Sequence, residues 1–262
     1  MASSLARMSD ERAAQLLALV KDADDVELKI TVRDTGRFAV LEALDVDPLE
    51  AQIRQVFFFD TPDLDLDRVG VVVRARRVQG RGDDTVIKLR PVVPDELPPE
   101  LRRLPEFVVE VDAMPSGVVC SASLKGTATR TTVREVVAGR APVRQLFSKA
   151  QRNYFADHAP AGLSLDDVRV LGPIHVLKLR YKPVELARKV VGEMWLYPDG
   201  TRIVELSTKC SIEEPFQVAA ESRAFLASKG IEIDPDGPTK TRTALDFFAR
   251  ELRAGAMPGP GA

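Results

Sequence analysis

Short segments in which apolar and charged residues alternate one by one recur along most of this chain. Successive side chains of a β-strand point to opposite faces, so each segment would have one apolar and one charged face. In the first of them Val26, Leu28 and Ile30 share one face, and Glu27 and Lys29 share the other. The pattern predicts a β-rich fold. The predicted strands are residues 26–32, 56–59, 71–77, 85–90, 107–112, 152–156, 174–181, 190–197 and 201–209.

Other stretches have apolar residues at helical spacing and predict an α+β protein. They are residues 9–20, 44–55, 130–149, 215–230 and 240–252. Helices that follow strands need an apolar surface to cover, which the apolar strand faces would provide.

Composition excludes several classes of protein. With 262 residues and 45% hydrophobic content, the chain can bury a substantial core, and it has no apolar run of membrane-spanning length. The first ten residues lack the apolar region of a secretory signal, so we expect a soluble cytoplasmic protein without a membrane partner. Two cysteines and two histidines disfavour a disulfide framework and a zinc site. A net charge of −2 indicates no nucleic-acid partner.

The charges on the strands are sorted by sign. Basic residues occupy the third, fourth and seventh predicted strands, and acidic residues the first, fifth and ninth. The basic residues are Arg74, Arg76, Lys88, Arg90, Lys178 and Arg180, and the acidic ones are Asp25, Glu27, Glu110, Asp112 and Glu205. A sheet with one face in water also produces alternation, and for a single strand that is the commoner explanation. Sorted signs together with intervening helices favour instead a closed barrel whose charged faces line the lumen.

Such a lumen suits a ligand with several adjacent negative charges. Guanidinium groups bind phosphate oxygens in pairs. Carboxylates in the same volume would repel such a ligand unless a divalent cation bridged the carboxylates and the ligand. Mg²⁺ or Mn²⁺ takes oxygen ligands of this kind. We therefore expect the partner to be a triphosphate or polyphosphate small molecule.

Several motifs also resemble one known family. Asp25, Glu27 and Lys29 at alternate positions resemble the ExExK signature of the CYTH, or triphosphate tunnel metalloenzyme, superfamily. The sequence FFDTPD at residues 58–63, followed by Leu64, Gly70 and the Arg74-x-Arg76 pair, is similar to its YFDTPD region. TVIKLR at residues 85–90 resembles the next basic strand, Glu110 falls in the middle acidic strand, and Glu205 lies in the closing one. The resemblance extends from about residue 25 to residue 248.

The resemblance implies a closed, eight-stranded antiparallel β-barrel, or triphosphate tunnel, with helices packed outside. Residues 25–252 would form one tunnel domain, after an N-terminal helix and lead-in at 1–24 and before a flexible tail at 253–262. Glu27 and Glu205 would be metal ligands, assisted by Asp25 and Glu110, and Glu27 and Lys29 would be catalytic. Phosphate oxygens would be held by Lys29, Arg74, Arg76, Lys88, Arg90, Lys178 and Arg180, with Arg152 and Lys240 as weaker candidates.

The activity implied is metal-dependent hydrolysis of an inorganic or organic triphosphate. Two residues depart from the family pattern: Asp25, in place of glutamate, is one methylene shorter, and Ser207, in place of the second closing acid, removes a negative charge from the metal site. They favour an alternative, a noncatalytic polyphosphate or nucleotide sensor. A further alternative is a class IV-type adenylyl cyclase making cAMP, which would need a base and an adenine pocket that the sequence does not reveal.

Overall fold

The structure, a computed structural model, describes residues 19–21, 23–33, 39–237 and 239–255. The predicted helix at 9–20 lies outside the described residues except for its last two positions. Residues 256–262 of the predicted tail also lie outside them.

Among the described residues, no helix is both long enough and apolar enough to cross a bilayer.

The described strands close into one barrel, as the alternating segments predicted. The strands are β1 (Asp25–Val32), β2 (Gln52–Asp60), β3 (Val71–Val78), β4 (Asp83–Leu89), β5 (Phe107–Met114), β6 (Gly117–Ala128), β7 (Arg169–Tyr181), β8 (Val190–Leu196) and β9 (Arg202–Cys210). Going around the barrel, the strand order is β1, β5, β6, β4, β3, β2, β7, β8, β9 and back to β1.

The barrel differs in two details from the eight antiparallel strands that were predicted. Nine strands form it within the described ranges, and β1 and β5 pair in parallel while all other neighbours are antiparallel. Strand β6 was not predicted, because its sequence GVVCSASLKGTA carries small polar residues where the other strands carry charges.

The helices in the described part of the chain are at most 14 residues long, and three predictions about them were wrong. They are α1 (Ala39–Ala43), α2 (Asp65–Arg68), α3 (Arg130–Val137), α4 (Lys149–Ala156), α5 (Pro215–Ser228) and α6 (Lys240–Arg253). Residues 130–149 are not one helix, because the helix that begins at Arg130 ends before Gly139, whose φ is +71°. Residues 152–156 belong to α4 rather than to a strand, because Ser148 and Gln151 form a capping box that starts a helix. Residues 44–55 are not one helix, because a turn capped by Asp47 interrupts them before β2 begins at Gln52.

Apolar side chains form layers on both sides of the barrel wall. The outward strand faces pack under α3, α4 and α5, as predicted. Helix α6 is different: its Leu245 and Phe248 pack with Val56, Phe58 and Trp195, which belong to lumen-facing columns. The first residues of α6 line the cavity. Helix α6 therefore covers the apolar end of the lumen, whereas α3, α4 and α5 pack on the outer strand faces.

Candidate functional site

The barrel encloses a charged cavity of about 960 Å³. Among the described residues, thirteen basic and nine acidic side chains line it, an excess of four positive charges in a chain whose net charge is −2. Most of the predicted site residues line this one cavity: Glu27, Lys29, Arg74, Arg76, Lys88, Arg90, Glu110, Lys178, Arg180 and Glu205. Asp25 is not among its lining residues, and Arg152 lies on α4, where its side chain donates to the Phe147 carbonyl oxygen.

Further charged side chains line the cavity that the sequence analysis did not assign to the site. They include Arg54, Asp84, Asp112, Lys125, Glu193 and Lys209, and Lys240, a weaker candidate, joins them. Arg54 lies two residues before the predicted strand 56–59, so a longer strand would have found it. Glu193 lies inside the predicted strand 190–197, where no residue was assigned to the site. Lys240 begins a helix, where strand alternation gives no signal.

Three cations surround the buried carboxylate of Asp112. The Lys29 Nζ atom lies 2.6 Å from Asp112 Oδ1, while Lys88 Nζ and Arg90 Nη1 lie 3.8 and 3.7 Å from Oδ2. Burial would raise the pKa of Asp112, but the attraction of Lys29 and Lys88 outweighs it and lowers that pKa. With Glu27, which lies 3.3 Å from Lys29 Nζ, two carboxylates face three cations, so the cluster keeps a positive charge and can accept an anion.

A second basic group lies on β2 and β3. Arg76 Nε is 2.7 Å from Asp84 Oδ1, whereas Arg74 has no carboxylate within ion-pair distance among the described residues. The buried Nε atom of Arg74 has no hydrogen-bond partner in the described part of the molecule. Within the described ranges, Arg54 donates only to Gln52 Oε1. Burial, together with repulsion by Arg76, lowers the pKa of both Arg54 and Arg74.

The DTPD region shapes the turn between β2 and β3, the strands that carry these cations. Asp60 lies at the end of β2, and its carboxylate accepts hydrogen bonds from the backbone N–H groups of Thr61, Leu66 and Asp67. It thereby holds the turn that leads to β3. Gly70, with φ of +76°, follows this turn, and a Cβ atom there would lie 2.4 Å from the Arg90 carbonyl oxygen. Only glycine permits this close approach of β3 to the end of β4.

The four predicted metal ligands do not form one cluster. Lys209 Nζ lies 2.8 Å from Asp25 Oδ2 and 2.7 Å from Glu110 Oε1. Glu27 is 3.3 Å from Lys29 Nζ, and Glu205 is 2.8 Å from Lys240 Nζ. In the described ranges, no three carboxylate, imidazole or thiol groups are placed to hold a metal ion.

The strand register partly explains why the predicted metal ligands do not form a cluster. Ser207 of β9 lies opposite Lys29, beside Glu27 on the shared lumen face, where the family pattern has a second acid. The residues therefore do not provide a complete protein cage for a metal. They fit only an ion that takes most of its ligands from substrate oxygens and one or two from the protein, as Mg²⁺ commonly does.

Lys88 should make anion binding pH-dependent. Burial, opposed by the carboxylate of Asp112, lowers the pKa of Lys88 to about 8. A bound polyanion favours the protonated amine, so tripolyphosphate affinity should fall as the pH rises above the pKa of Lys88, by up to about tenfold per pH unit. Calorimetric titrations across this range measure it.

The variant Lys88→Arg is the control, because arginine stays protonated. Tripolyphosphate ionises in the same way in both titrations. Any difference between the two pH profiles of affinity therefore reports the ionisation of Lys88. Parallel profiles would contradict the prediction.

Solved structures share this architecture. HpAC1 from Hippeastrum, described as a candidate adenylyl cyclase with a dominant triphosphatase activity, is 19% identical with a TM-score of 0.62, and the match covers 90% of this chain and 98% of HpAC1. The Bacillus halodurans protein bh2851, described as a candidate adenylate cyclase, is 12% identical with a TM-score of 0.57, covering 83% and 96% of the two chains. No protein-family model and no curated protein sequence matches the chain.

The fold and the cavity define a class of tunnel proteins, closed β-barrels with a charged lumen. More specifically, the chain has the CYTH, or triphosphate tunnel, fold that the sequence motifs predicted.

Proposed function

We propose that this protein binds a triphosphate chain in its lumen and hydrolyses a phosphoanhydride bond. The observation that carries the proposal is the excess of cations in an enclosed cavity, with Arg74 left without a carboxylate partner among the described residues. Desolvated cations without partners are costly and are retained where a ligand compensates them. The triphosphatase activity described for HpAC1, which shares the fold, supports hydrolysis.

The arrangement of the cations favours a chain of phosphates over a single anion. Arg54, Arg74 and Arg76 form one group, and Lys29, Lys88 and Arg90 form another around Asp112. A triphosphate has negative oxygens along its length and can contact both groups at once. Charge-assisted contacts at both ends would also orient the scissile bond.

The lining favours an inorganic triphosphate over a nucleotide. Trp195 is the one aromatic side chain among the described residues that line the cavity. It already packs against Phe58, with ring centroids 6.3 Å apart, and Lys240 Nζ lies 5.2 Å from its ring centroid. An adenine base would therefore find no free stacking surface. This feature also weighs against ATP cyclisation.

In the proposed reaction, the arginines and lysines of the two groups would hold the phosphate oxygens and balance the charge that develops in the transition state. Lys29 and Glu27 lie side by side on β1 and would act nearest the reacting phosphate. Mg²⁺ or Mn²⁺ entering with the substrate would be held by Glu27 and would supply additional charge neutralisation.

A noncatalytic polyphosphate sensor is the second candidate. The absence of a ready cluster of metal ligands among the described residues favours it, as does Ser207 beside Glu27. Such a protein would bind tripolyphosphate tightly without turnover.

A substrate panel tests the proposal. Release of phosphate from tripolyphosphate and ATP is measured with Mg²⁺, with Mn²⁺ and with chelator, and cAMP is assayed in parallel. We expect turnover of tripolyphosphate to exceed turnover of ATP. Tight binding without turnover would select the sensor, and cAMP formation would select the cyclase.

Glu27→Gln separates metal-dependent chemistry from binding. If Glu27 meets the substrate through a metal, the variant should lose metal-dependent turnover by about a hundredfold or more while keeping metal-free affinity for tripolyphosphate, because no direct phosphate contact is removed. Glu135→Gln is the control, because it removes an exposed carboxylate that pairs with Arg140 outside the cavity, and it should leave turnover unchanged. Full metal-dependent turnover in Glu27→Gln would remove Glu27 from the mechanism.

A further inference from the structure

We propose that the ammonium group of Lys240 is a built-in counterion that occupies the position of a divalent cation between Glu193 and Glu205 and excludes metal from this pair. The inference concerns metal binding by the protein alone and does not depend on the proposed hydrolysis.

The need for a cation arises from the strand register. Glu193 of β8 lies directly opposite Glu205 of β9, and both side chains face the lumen. The two side chains are only 11% and 9% exposed. Two like charges side by side at such low exposure repel each other strongly, so the pair requires a positive charge between them.

Lys240 supplies that charge. Its Nζ atom lies 2.5 Å from Glu193 Oε2 and 2.8 Å from Glu205 Oε1, so one ammonium group bridges the two carboxylates. Burial would lower the pKa of Lys240, but the attraction of Glu193 and Glu205 outweighs it and raises that pKa. Burial would raise the pKa of Glu193, but the attraction of Lys240 and of Lys178 outweighs it and holds that pKa well below its usual value. The cluster therefore stays ionised.

The fold places Lys240 between the two carboxylates although its position in the helix disfavours a positive charge. Lys240 is the first residue of α6, where the helix dipole disfavours a positive charge. Packing fixes the position instead. Tyr197 Oη donates a 2.8 Å hydrogen bond to the Lys240 carbonyl oxygen, and Leu245 and Phe248 anchor the helix in the apolar end of the lumen.

The remaining oxygen positions of Glu193 are also used. Lys178 Nζ donates to Oε1 at 2.7 Å, and Trp195 Nε1 donates to Oε2 at 3.2 Å. A metal ion could reach both carboxylates only by displacing the Lys240 ammonium group. Removal of that group should leave two adjacent carboxylates, the usual protein contribution to a Mn²⁺ or Mg²⁺ site.

Titration of Mn²⁺ alone tests this, by calorimetry in phosphate-free buffer. The variant Lys240→Gln should bind Mn²⁺ at least about tenfold more tightly than the wild type, and the double variant with Glu193→Gln should lose the gain. Lys178→Gln is the matched control, because it removes a cation that contacts Glu193 but leaves Lys240 bridging the pair. It should gain no such affinity.

Two results would overturn the proposal. One is a folded Lys240→Gln protein with wild-type Mn²⁺ affinity. The other is a wild-type Mn²⁺ site that Glu193→Gln abolishes, since Lys240 would then not exclude the ion. Lys240→Gln could be unfolded in the presence of chelator. In that case, recovery of the folded circular dichroism spectrum with Mn²⁺, but not with NaCl at equal ionic strength, supports the proposal. Failure of Mn²⁺ to restore the spectrum counts against the proposal.

Discussion

Replacing Asp112 by asparagine is expected to lower the free energy of unfolding by about 3 kcal/mol in the absence of ligand. The substitution keeps the size of the side chain but leaves Lys29, Lys88 and Arg90 without their shared carboxylate. Breaking a fully buried ion pair costs up to about 5 kcal/mol of unfolding free energy. The expected loss is smaller here, because the three cations are 16%, 18% and 26% exposed and water in the lumen can solvate them. Denaturant titration measures the change.

The control for this prediction is Asp84→Asn. Asp84 pairs with one cation, Arg76, and its side chain is 33% exposed, so the loss there should stay below about 1 kcal/mol. Tripolyphosphate should restore part of the stability of Asp112→Asn, because its oxygens can neutralise the same three cations. Equal stability of Asp112→Asn and wild type would show that the cluster needs no internal counterion.

Replacing Arg74 by methionine should change ligand binding and stability in opposite directions. A charge-assisted hydrogen bond contributes about 1.5–3 kcal/mol, so tripolyphosphate affinity should fall by about tenfold to a hundredfold. The ligand-free protein should become more stable, because a guanidinium whose Nε is buried without a partner is removed. Calorimetry and thermal melts with and without tripolyphosphate measure both effects.

Arg103→Met provides the comparison, since Arg103 is exposed and lies outside the cavity. Arg103→Met should change neither the tripolyphosphate affinity nor the stability of the ligand-free protein measurably. If Arg74→Met lowers the melting temperature of the ligand-free protein and leaves tripolyphosphate affinity intact, Arg74 has a structural role and the anion site lies elsewhere.

Much of the barrel was predictable because its signal is local. A strand with one face in the lumen and one under helices must alternate, and eight of the nine strands in the described ranges overlap predicted segments. The exceptions show the limit of that signal. Strand β6 has small polar residues on its lumen face, and residues 152–156 alternate by chance within a helix started by Ser148.

For most strand residues the sequence by itself determined which side chains face the lumen and with what charge, because two-residue periodicity assigns each side chain to a face. Tertiary structure decided which charges meet. Asp112 contacts Lys29, 83 positions away, and Lys240 reaches Glu193, 47 positions away. These pairs depend on strand order, register and the docking of α6, which arise from packing across the whole barrel. For that reason the sequence could indicate a polyphosphate tunnel, whereas the bridging of Glu193 and Glu205 by a lysine became visible only in the folded chain.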